Sequence, residues 1–398
     1  MSKQGQGDHF LRDKAAIVGV GATEFSKQSG RTEIQLGVEA ILAALADAGI
    51  DPVEVDGMAT YTMDNNPEIE LHRLIGGRAL RFFSRAHYGG GAACAPVMHA
   101  AMAVATGVAD VVVVYRAMNE RSGFRFGQGG LLTEDPNAFE TVDFGWYFPH
   151  GLMTPASWIA MFAQRYLHET DATTEDFGRV AVGGRDFAST NPKAWFYQQP
   201  ITLEEHQAAR WIAEPLRLLD CCQESDGAVA MVITSAERAK DLKRPPVLVR
   251  GASQGAADDQ RMMTSFYRKS LTGLPEMGEV ARNLYAMSGL GPADMQAAVL
   301  YDHFSPFVLP QLEEFGFAER GKACDFLREG HHLRGGKLPV NPHGGQLGEA
   351  YIHGLNGVAE AVRQVRGEAA NQVAGLEHIL VTAGTGVPTS GLILGGAS

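Results

Sequence analysis

Residues 107–113 read GVADVVV and residues 375–381 read GLEHILV, so one short pattern occurs twice in the chain. In both copies a glycine suited to the end of a helix leads through a turn into a run of strand-forming residues. A second pair, GIDPVEVD at residues 49–56 and GLGPADMQ at residues 289–296, precedes the first pair in the same order. Two ordered matches are harder to attribute to chance than one. The sequence therefore predicts an α/β protein built from two similar halves.

The patterns around these repeats predict alternating strands and helices. Residues 15–20 (AAIVGV) have the continuous apolar character of a buried strand. Residues 34–48 repeat apolar side chains with a helical period, and Gly49 follows as a natural helix-terminating residue. We expect a second helix over residues 96–106, because proline suits its first turn, and a strand buried on both faces over residues 109–114.

The two halves are predicted to span residues 14–240 and 245–398, with a junction near residues 238–246, where charges and two prolines cluster. An insertion over about residues 117–214 differs in character, because it contains every tryptophan of the chain. These rings either form a small satellite core or line an apolar cavity for a bulky hydrophobic substrate. The tryptophans are Trp146, Trp158, Trp195 and Trp211.

The composition argues against several classes of function. The 398 residues carry a net charge of −12 and no long basic run, which argues against nucleic acid as the principal partner. An anionic ligand is still compatible, because a few arginines or helix N-termini can hold phosphates. The sequence opens without a secretory signal pattern, and apolar runs such as residues 111–114 are far shorter than the about 20 residues of a membrane helix. We expect a cytoplasmic protein with no membrane span.

The cysteines and histidines do not form a metal-binding pattern. The cysteines include an adjacent pair and no CxxC spacing, so neither disulfides nor a zinc site is indicated. The histidines are not spaced with carboxylates in the way that metal ligands are. We therefore expect this chain to bind no metal. The residues considered are Cys94, Cys221, Cys222, Cys324, His331, His332, His343 and His353.

Five short motifs point to a family. They are GVAD at 107–110, SDGA at 225–228, YDHFS at 301–305, NPHGG at 341–345 and TAGTG at 382–386. Their order and spacing resemble the thiolase superfamily over residues 14–394, in particular the sterol-carrier-type thiolases and bacterial lipid-transfer proteins. The resemblance implies a thiolase fold with two duplicated α/β halves, a five-layered α/β/α/β/α core and a homodimer.

The position of the thiolase nucleophile holds a different residue here. In the family a cysteine lies about twenty residues before the aspartate that opens the valine strand, and counting back from Asp110 leads to Gly90. The absence of a side chain at Gly90 would make room for substrate. Cys94 lies one helical turn further on, and it is either a packing residue or a displaced nucleophile. Both residues are secondary candidates for the site.

Two tyrosines fall on other catalytic positions of the family. Tyr301 stands where thiolases carry asparagine or histidine, and Tyr351 stands where they carry the catalytic histidine. Thr382 corresponds to the second cysteine. Each position needed for Claisen chemistry has therefore changed, while the glycines that shape the turns remain.

These changes favour aldol cleavage over Claisen cleavage of an acyl-CoA. Claisen cleavage needs a nucleophile to capture the acyl half, whereas in aldol cleavage the other half leaves as a ketone or aldehyde. Aldol cleavage needs a base for the β-hydroxyl and donors for the enolate. We predict Tyr301 as the base, tuned by His303 directly or through water, and Tyr351 as the donor, although the two roles could be reversed. His343 is a weaker candidate.

This pattern resembles the bacterial lipid-transfer-type steroid side-chain retro-aldolases. The resemblance implies cleavage of a 17-hydroxy steroid side-chain CoA thioester to a 17-ketosteroid and propionyl-CoA. It also implies a zinc-ribbon/OB-fold partner protein, which would hold the zinc, and a heterotetramer around the aldolase dimer. CoA would be part of the substrate, and no separate cofactor is expected. The alternatives are a steroid or bile-acid side-chain aldolase that releases acetyl-CoA, a degenerate thiolase and a non-catalytic lipid-binding protein.

Two groups of arginines are candidates for contacts with the CoA phosphates, although the pattern favours a solvated surface role for any single member. The first group is Arg78, Arg81 and Arg85, and the second is Arg116, Arg121 and Arg125.

Overall fold

A computed structural model describes residues 9–87, 89–123, 125, 127, 139–261, 264–384 and 389–397 of the chain. The last two residues of the TAGTG motif, at positions 385 and 386, lie outside the described residues. No helix of the described ranges has the length and apolar character needed to cross a membrane.

The strands and helices alternate through most of the chain. The strands are β1 (Ala15–Ala22), β2 (Gly57–Tyr61), β3 (Phe82–Ala86), β4 (Val111–Asn119), β5 (Trp211–Ala213), β6 (Leu216–Arg217), β7 (Asp226–Ser235), β8 (Val247–Gly255), β9 (Ala297–Val299), β10 (His378–Thr382) and β11 (Thr389–Gly396). The helices are α1 (Glu33–Ala48), α2 (Glu68–Leu74), α3 (Ala95–Ala105), α4 (Phe139–Phe144), α5 (Pro155–Glu169), α6 (Thr174–Ser189), α7 (Leu203–Ala208), α8 (Ala236–Ala239), α9 (Pro275–Ser288), α10 (Val308–Glu314), α11 (Ala323–Arg328), α12 (Gly345–Gly348) and α13 (Leu355–Arg366).

The main sheet has an internal symmetry. Its strand order is β3-β2-β4-β7-β1-β8-β11-β10-β9, so the sequence β1, β7, β4, β2 on one side corresponds to β8, β11, β10, β9 on the other. Among the corresponding strands, β2 pairs with β4 and β9 pairs with β10 in parallel, and the inner pairs are antiparallel. The additional strand β3 pairs in parallel with β2. The two sides are joined by only two residue pairs between β1 and β8. The arrangement is a duplicated α/β fold.

Helices cover both sides of this sheet in layers. Helices α3 and α13 lie between the two sheet halves, where Val97, Val358 and Val362 share one buried core with strands from both. Helix α1 covers the outer face of the first half, and α9 covers the outer face of the second. The core therefore has five layers, in the order helix, sheet, helix, sheet, helix, as the resemblance implied.

The repeats lie on equivalent elements in the two halves. Helix α1 ends at Gly49 (φ 71°) and α9 ends at Gly289 (φ 70°), and this left-handed backbone strongly favours glycine. A short 3-10 turn follows each glycine and leads to β2 or β9. The helices predicted over residues 34–48 and 96–106 and the strand predicted over residues 15–20 are confirmed. The chain boundaries chosen for the two halves remain a prediction.

The described part of the insertion is mainly helical. Trp158 is buried against Phe144 and Tyr147, with ring centroids 5.0 and 5.7 Å apart, so this tryptophan belongs to a small satellite core. Trp146 is 71% exposed. The indoles of Trp195 and Trp211 lie under cations, Lys27 at 5.2 Å and Arg217 at 3.7 Å. Trp146, Trp195 and Trp211 are therefore partly exposed to solvent, whereas Trp158 is buried.

The NPHGG turn is tied to the end of β9 by backbone hydrogen bonds, such as Asn341 N–H to the Ala298 carbonyl at 2.9 Å, and by one side chain. Asn341 accepts a hydrogen bond from the Leu300 N–H and donates one to the Leu300 carbonyl, each at 2.9 Å. Asn341 is buried and has a left-handed backbone (φ 54°), which asparagine tolerates better than most residues. The Asn341 amide makes the two hydrogen bonds to Leu300 that a neighbouring strand would make, and it thereby fixes the backbone immediately before Tyr301.

We predict that Asn341→Ala lowers the free energy of unfolding by about 2–4 kcal/mol, because two buried backbone groups lose their partner. Urea unfolding measures the change. The matched control is Asn283→Ala on the exposed face of α9, which should change the free energy by less than about 0.5 kcal/mol. Equal effects of the two substitutions would show that the amide of Asn341 does not hold the turn.

Candidate active site

The two tyrosines that the sequence singled out meet in the folded chain. Tyr301 follows the end of β9, and Tyr351 lies between α12 and α13. The Tyr301 hydroxyl donates a hydrogen bond to the Tyr351 hydroxyl, with 3.2 Å between the two Oη atoms. Tyr301 is buried and Tyr351 is half-buried. Two phenols on separate segments therefore form one pair.

The backbone of Tyr301 is held by two polar side chains. Its N–H donates to Thr382 Oγ1 at 3.0 Å and to Gln311 Oε1 at 3.2 Å, and its carbonyl accepts from Gln311 Nε2 at 2.8 Å. The Thr382 hydroxyl also donates to Gln311 Oε1 at 2.6 Å. Thr382, at the position of the second thiolase cysteine, thus supports Tyr301. The sequence gave no signal for Gln311, a buried polar residue on α10.

The Tyr301 ring fits against backbone that carries no side chains. A Cβ added at Gly90 would lie 1.8 Å from Tyr301 Oη, and one added at Gly384 or Gly354 would lie 2.5 or 2.8 Å from ring carbons. The Gly384 N–H donates to the Gly90 carbonyl at 3.1 Å, so the two turns are bound to each other. The phenol therefore takes the space that a side chain at the nucleophile position would need.

Tyr351 is anchored from the first half of the chain. Its N–H donates to Ser225 Oγ at 3.1 Å, and Ser225 opens the SDGA motif. The His353 ring stands edge-on to the Tyr351 ring, with centroids 5.2 Å apart and an interplanar angle of 86°. His353 Nδ1 accepts a hydrogen bond from Arg116 Nε at 3.0 Å. Neither Ser225 nor His353 was predicted as a site residue.

Both phenols are neutral in this environment. Burial raises the pKa of Tyr301 and of Tyr351 well above the ordinary value of tyrosine. The hydrogen bond between the two phenols also affects both pKa values. Donating that bond raises the pKa of Tyr301 further, whereas accepting it only partly offsets the effect of burial on Tyr351, whose pKa stays well above the ordinary value. A phenolate on the free protein is strongly disfavoured at neutral pH.

His303 does not stabilise a phenolate directly. Its ring lies 4.9 Å from the Tyr301 ring, centroid to centroid, and stacks on Phe307 at 5.0 Å. Neither ring nitrogen has a hydrogen-bond partner among the described residues, and burial lowers the pKa of His303 to about 3. The direct form of the predicted tuning by His303 is therefore wrong, because a neutral ring without that hydrogen bond cannot offset a negative charge.

Cys94 and His343 are core residues. The Cys94 thiol is buried 3.8 Å from the Val381 carbonyl, and burial raises the thiol pKa well above its usual value. This environment suits packing and does not activate a nucleophile. His343 is buried in the NPHGG turn, and burial lowers its pKa to about 3.

The structure separates the arginines proposed for CoA. Arg116 is buried and paired with Asp64 at 3.0 Å, so the interpretation of Arg116 as a phosphate ligand is wrong. Arg85 pairs with Glu68 and Arg125 pairs with Glu224, while Arg81 contacts two aspartates. Arg78 and Arg121 are exposed. Among the described residues no group of three or more His, Cys, Asp or Glu side chains is arranged to hold a metal ion.

Comparison with known proteins agrees with this geometry. Residues 255–395 match the family described as thiolase C-terminal domain-like. The chain is 63% identical over 385 residues to the steroid side-chain-cleaving aldolase of Thermomonospora curvata, covering 97% of this chain and 98% of that protein. It is 64% identical over 388 residues to the 17-hydroxy-3-oxo-4-pregnene-20-carboxyl-CoA lyase of Mycobacterium tuberculosis, covering 97% of this chain and 100% of that protein. The chain belongs to the steroid side-chain-cleaving aldolases of the thiolase superfamily.

Solved structures place this aldolase-family chain in the same fold. The Ltp2-ChsH2(DUF35) aldolase superposes with a TM-score of 0.93 at 62% identity, covering 97% of this chain and 98% of that one. Human mitochondrial 3-ketoacyl-CoA thiolase superposes with a TM-score of 0.69 at 15% identity, covering 98% and 99%. The second likeness shows the fold alone.

We predict that Gly90→Ala lowers the free energy of unfolding by about 1–3 kcal/mol, because its methyl group overlaps the Tyr301 hydroxyl and must displace the ring. Chemical unfolding of the two proteins measures the difference. Gly291→Ala is the matched control, because the nearest atom to its added Cβ is 3.9 Å away. A Gly90→Ala protein as stable as this control would mean that the ring moves freely and does not depend on Gly90.

Proposed function

We propose that this chain catalyses the retro-aldol cleavage of a steroid β-hydroxyacyl-CoA, with a 17-hydroxy steroid side-chain CoA as substrate. The carbon–carbon bond between the hydroxyl-bearing ring carbon and the α-carbon of the thioester breaks, the hydroxyl carbon becomes a ketone, and the α-carbon gains a proton. The products are a 17-ketosteroid and propionyl-CoA. The single observation that carries the proposal is the pair of hydroxyls 3.2 Å apart at two catalytic positions of the family.

The phenols can move the proton without either being ionised beforehand. Because Tyr301 donates to Tyr351, a Tyr301 lone pair is available for the substrate hydroxyl proton, and the Tyr351 hydroxyl is available for the enolate carbon. The proton passes from the substrate to Tyr301 as the Tyr301 proton passes to Tyr351 and the Tyr351 proton passes to the α-carbon. Both phenols end neutral. Tyr301 then acts as the base and Tyr351 as the acid.

The alternatives fit the site less well. A thiolase would need a nucleophile, but the nucleophile position is Gly90, and the Cys94 thiol is buried with a raised pKa. A purely lipid-binding protein would not need two hydroxyls in a shared buried pair. An acetyl-CoA-releasing aldolase would use the same proton relay, so the substrate side chain and not the phenols would distinguish it.

The assembly proposed for the chain is a homodimer joined by a zinc-ribbon/OB-fold partner in a heterotetramer. The solved Ltp2-ChsH2(DUF35) aldolase, named for two proteins, supports a partner. Strand β3 supports self-association, because it ends the sheet with Phe83 67% exposed and pairs with β2 along one edge only among the described strands. The zinc would belong to the partner. We place the assembly in the cytoplasm.

We predict that Tyr301→Phe and Tyr351→Phe each lower kcat by about 100-fold or more, because each breaks the proton relay. The assay follows the ketosteroid and propionyl-CoA released from 17-hydroxy-3-oxo-4-pregnene-20-carboxyl-CoA by mass spectrometry. Tyr285→Phe is the control, since its hydroxyl donates to the Phe315 carbonyl at 2.7 Å within the fold. Its kcat should stay within about twofold, because it loses only a structural hydrogen bond.

The same assay separates the rival functions. Unchanged turnover in both tyrosine variants would refute the relay. Brief treatment with a thiol alkylator should leave activity intact, and inactivation that tracks alkylation of Cys94 would favour a thiolase. An acyl group trapped on any side chain during turnover would also contradict the aldol mechanism.

For the assembly, we predict that light scattering gives the mass of a dimer for the chain alone and of a heterotetramer after addition of a DUF35-type partner. Turnover should rise on formation of the complex. Equal turnover with and without the partner would show that the partner is dispensable. The Phe83→Glu substitution on β3 should weaken the dimer, whereas Val53→Glu at another exposed apolar position should leave it intact.

A further inference from the structure

A buried series of side-chain contacts, which begins with an ion pair, runs from the end of β2 to the ring of Tyr351, and no step of the proton relay uses it. Arg116 on β4 is 2% exposed and its Nη1 lies 3.0 Å from Asp64 Oδ2. Arg116 Nε donates to His353 Nδ1 at 3.0 Å. The His353 ring then stands edge-on to Tyr351. Asp64, Arg116, His353 and Tyr351 are thus connected in that order.

Arg116 is fixed at both ends of its guanidinium. Nη1 also donates to the Ala117 carbonyl at 2.8 Å, and Asp64 Oδ2 also accepts from the Ala117 N–H at 3.0 Å. A buried ion pair is weak evidence for stability, because desolvation of both charges offsets their attraction. The planar guanidinium can direct one N–H at the imidazole while another engages the carboxylate. The Arg116–Asp64 ion pair is therefore better explained by its effect on the orientation and protonation of the His353 ring.

This contact determines the state of His353. Because Nδ1 accepts from Arg116, the neutral ring carries its hydrogen on Nε2. Burial and the nearby Arg116 charge lower the pKa of His353 well below its usual value, so the ring stays neutral. Its backbone is left-handed (φ 48°). Its ring also packs edge-on against Tyr61, with centroids 6.3 Å apart. The imidazole is held rigidly on two sides.

The same series of side-chain contacts brings the positive charge of Arg116 towards the Tyr351 phenol. The groups that act on Tyr351 are Cys222, Glu120, Tyr301 and Arg116. Burial raises the pKa of Cys222 and of Glu120 well above their ordinary values, which favours the neutral form of each. Arg116 is the cation of this group, and a cation favours proton release from a nearby phenol. Negative charge that develops on Tyr351 during donation would be stabilised from this side.

We propose that Asp64, Arg116 and His353 are positioning residues that hold the Tyr351 phenol in the orientation from which it protonates the enolate. The proposal rests on the proposed retro-aldol function. It names three residues that act on the reaction through Tyr351 and do not themselves touch the reacting atoms.

The test compares Arg116→Lys and His353→Asn with the control Arg250→Lys. Lysine keeps the charge at position 116 but not the planar fork, and asparagine tolerates the left-handed backbone at position 353. Arg250 also forms an ion pair with an aspartate, Asp13 at 2.9 Å, which is less buried than the Arg116–Asp64 pair and makes no contact with the phenols among the described hydrogen bonds. The substrate is 17-hydroxy-3-oxo-4-pregnene-20-carboxyl-CoA, and the full chain is assayed in its most active assembly.

We expect each site variant to lower kcat by about tenfold or more while KM stays within about threefold, because misorientation affects the transition state and not ground-state binding. The double variant should lose little more than the more severe single variant, because the two residues act in one chain. Arg250→Lys should stay within about twofold of the parent. A kcat for Arg116→Lys equal to that of the control, or losses that multiply in the double variant, would overturn the proposal.

A second measurement does not depend on turnover. Tyrosines are replaced by a fluorinated tyrosine, and the fluorine resonance of position 351 is assigned with Tyr351→Phe. It should shift in Arg116→Lys and His353→Asn and stay in place in Arg250→Lys. An unmoved resonance would refute the positioning role. If the parent chain fails to cleave the substrate, the proposed function is wrong, and this spectrum still decides whether the three residues orient Tyr351.

Discussion

The close approach of the Tyr301 hydroxyl to the backbone at Gly90 constrains the rest of the site. An added Cβ would lie 1.8 Å from Tyr301 Oη, so no other amino acid at position 90 is compatible with this ring position. The phenol and the thiolase-type side chain at this position are mutually exclusive. The position of the Tyr301 ring therefore depends on the absence of a side chain at position 90. The hydrogen bond between Tyr301 and Tyr351 follows from the position of the Tyr301 hydroxyl against the Gly90 backbone.

The duplicated fold brings these segments together. Tyr301 follows β9 and Gly384 follows β10, and the carboxyl ends of parallel strands meet at one edge of a sheet. The turn that contains Gly90 leads into the central helix α3. The Gly90 carbonyl accepts a hydrogen bond from the Gly384 N–H. Tyr351 precedes the other central helix, α13. Both central helices thus begin at the site, and residues from the two halves face each other there.

The sequence predicted the parts of the site that depend on local motifs. The fold class could be read from turns and repeats, whereas the tyrosines and Gly90 were singled out by the resemblance to the thiolase superfamily. The space at Gly90, which was predicted for substrate, is taken by the Tyr301 hydroxyl. Ser225 and the contact of His353 with Arg116 could not be predicted, because each joins segments distant in sequence. Gln311 lies ten residues from Tyr301 but belongs to none of the motifs. Arg116 was misread as a phosphate ligand because a charge in a sequence does not reveal its burial. His303 was misread because an alternating strand predicts a shared face but not a hydrogen bond.

The chemistry proposed for the site depends on the neutral form of its phenols and histidine rings. Burial favours the neutral form of both phenols and of the His303 and His353 rings, so the site is unsuited to storing a phenolate before substrate binds. Aldol cleavage can proceed under this constraint because the proton released by the substrate hydroxyl is the proton that its enolate carbon needs. A relay through two hydroxyls transfers that proton with no net change in the protein. Claisen cleavage offers no such balance, because its acyl half requires a thiolate to capture it. The neutral phenol pair, with no side chain at Gly90 and with the Cys94 thiol buried, therefore favours the proposed aldol cleavage over Claisen cleavage.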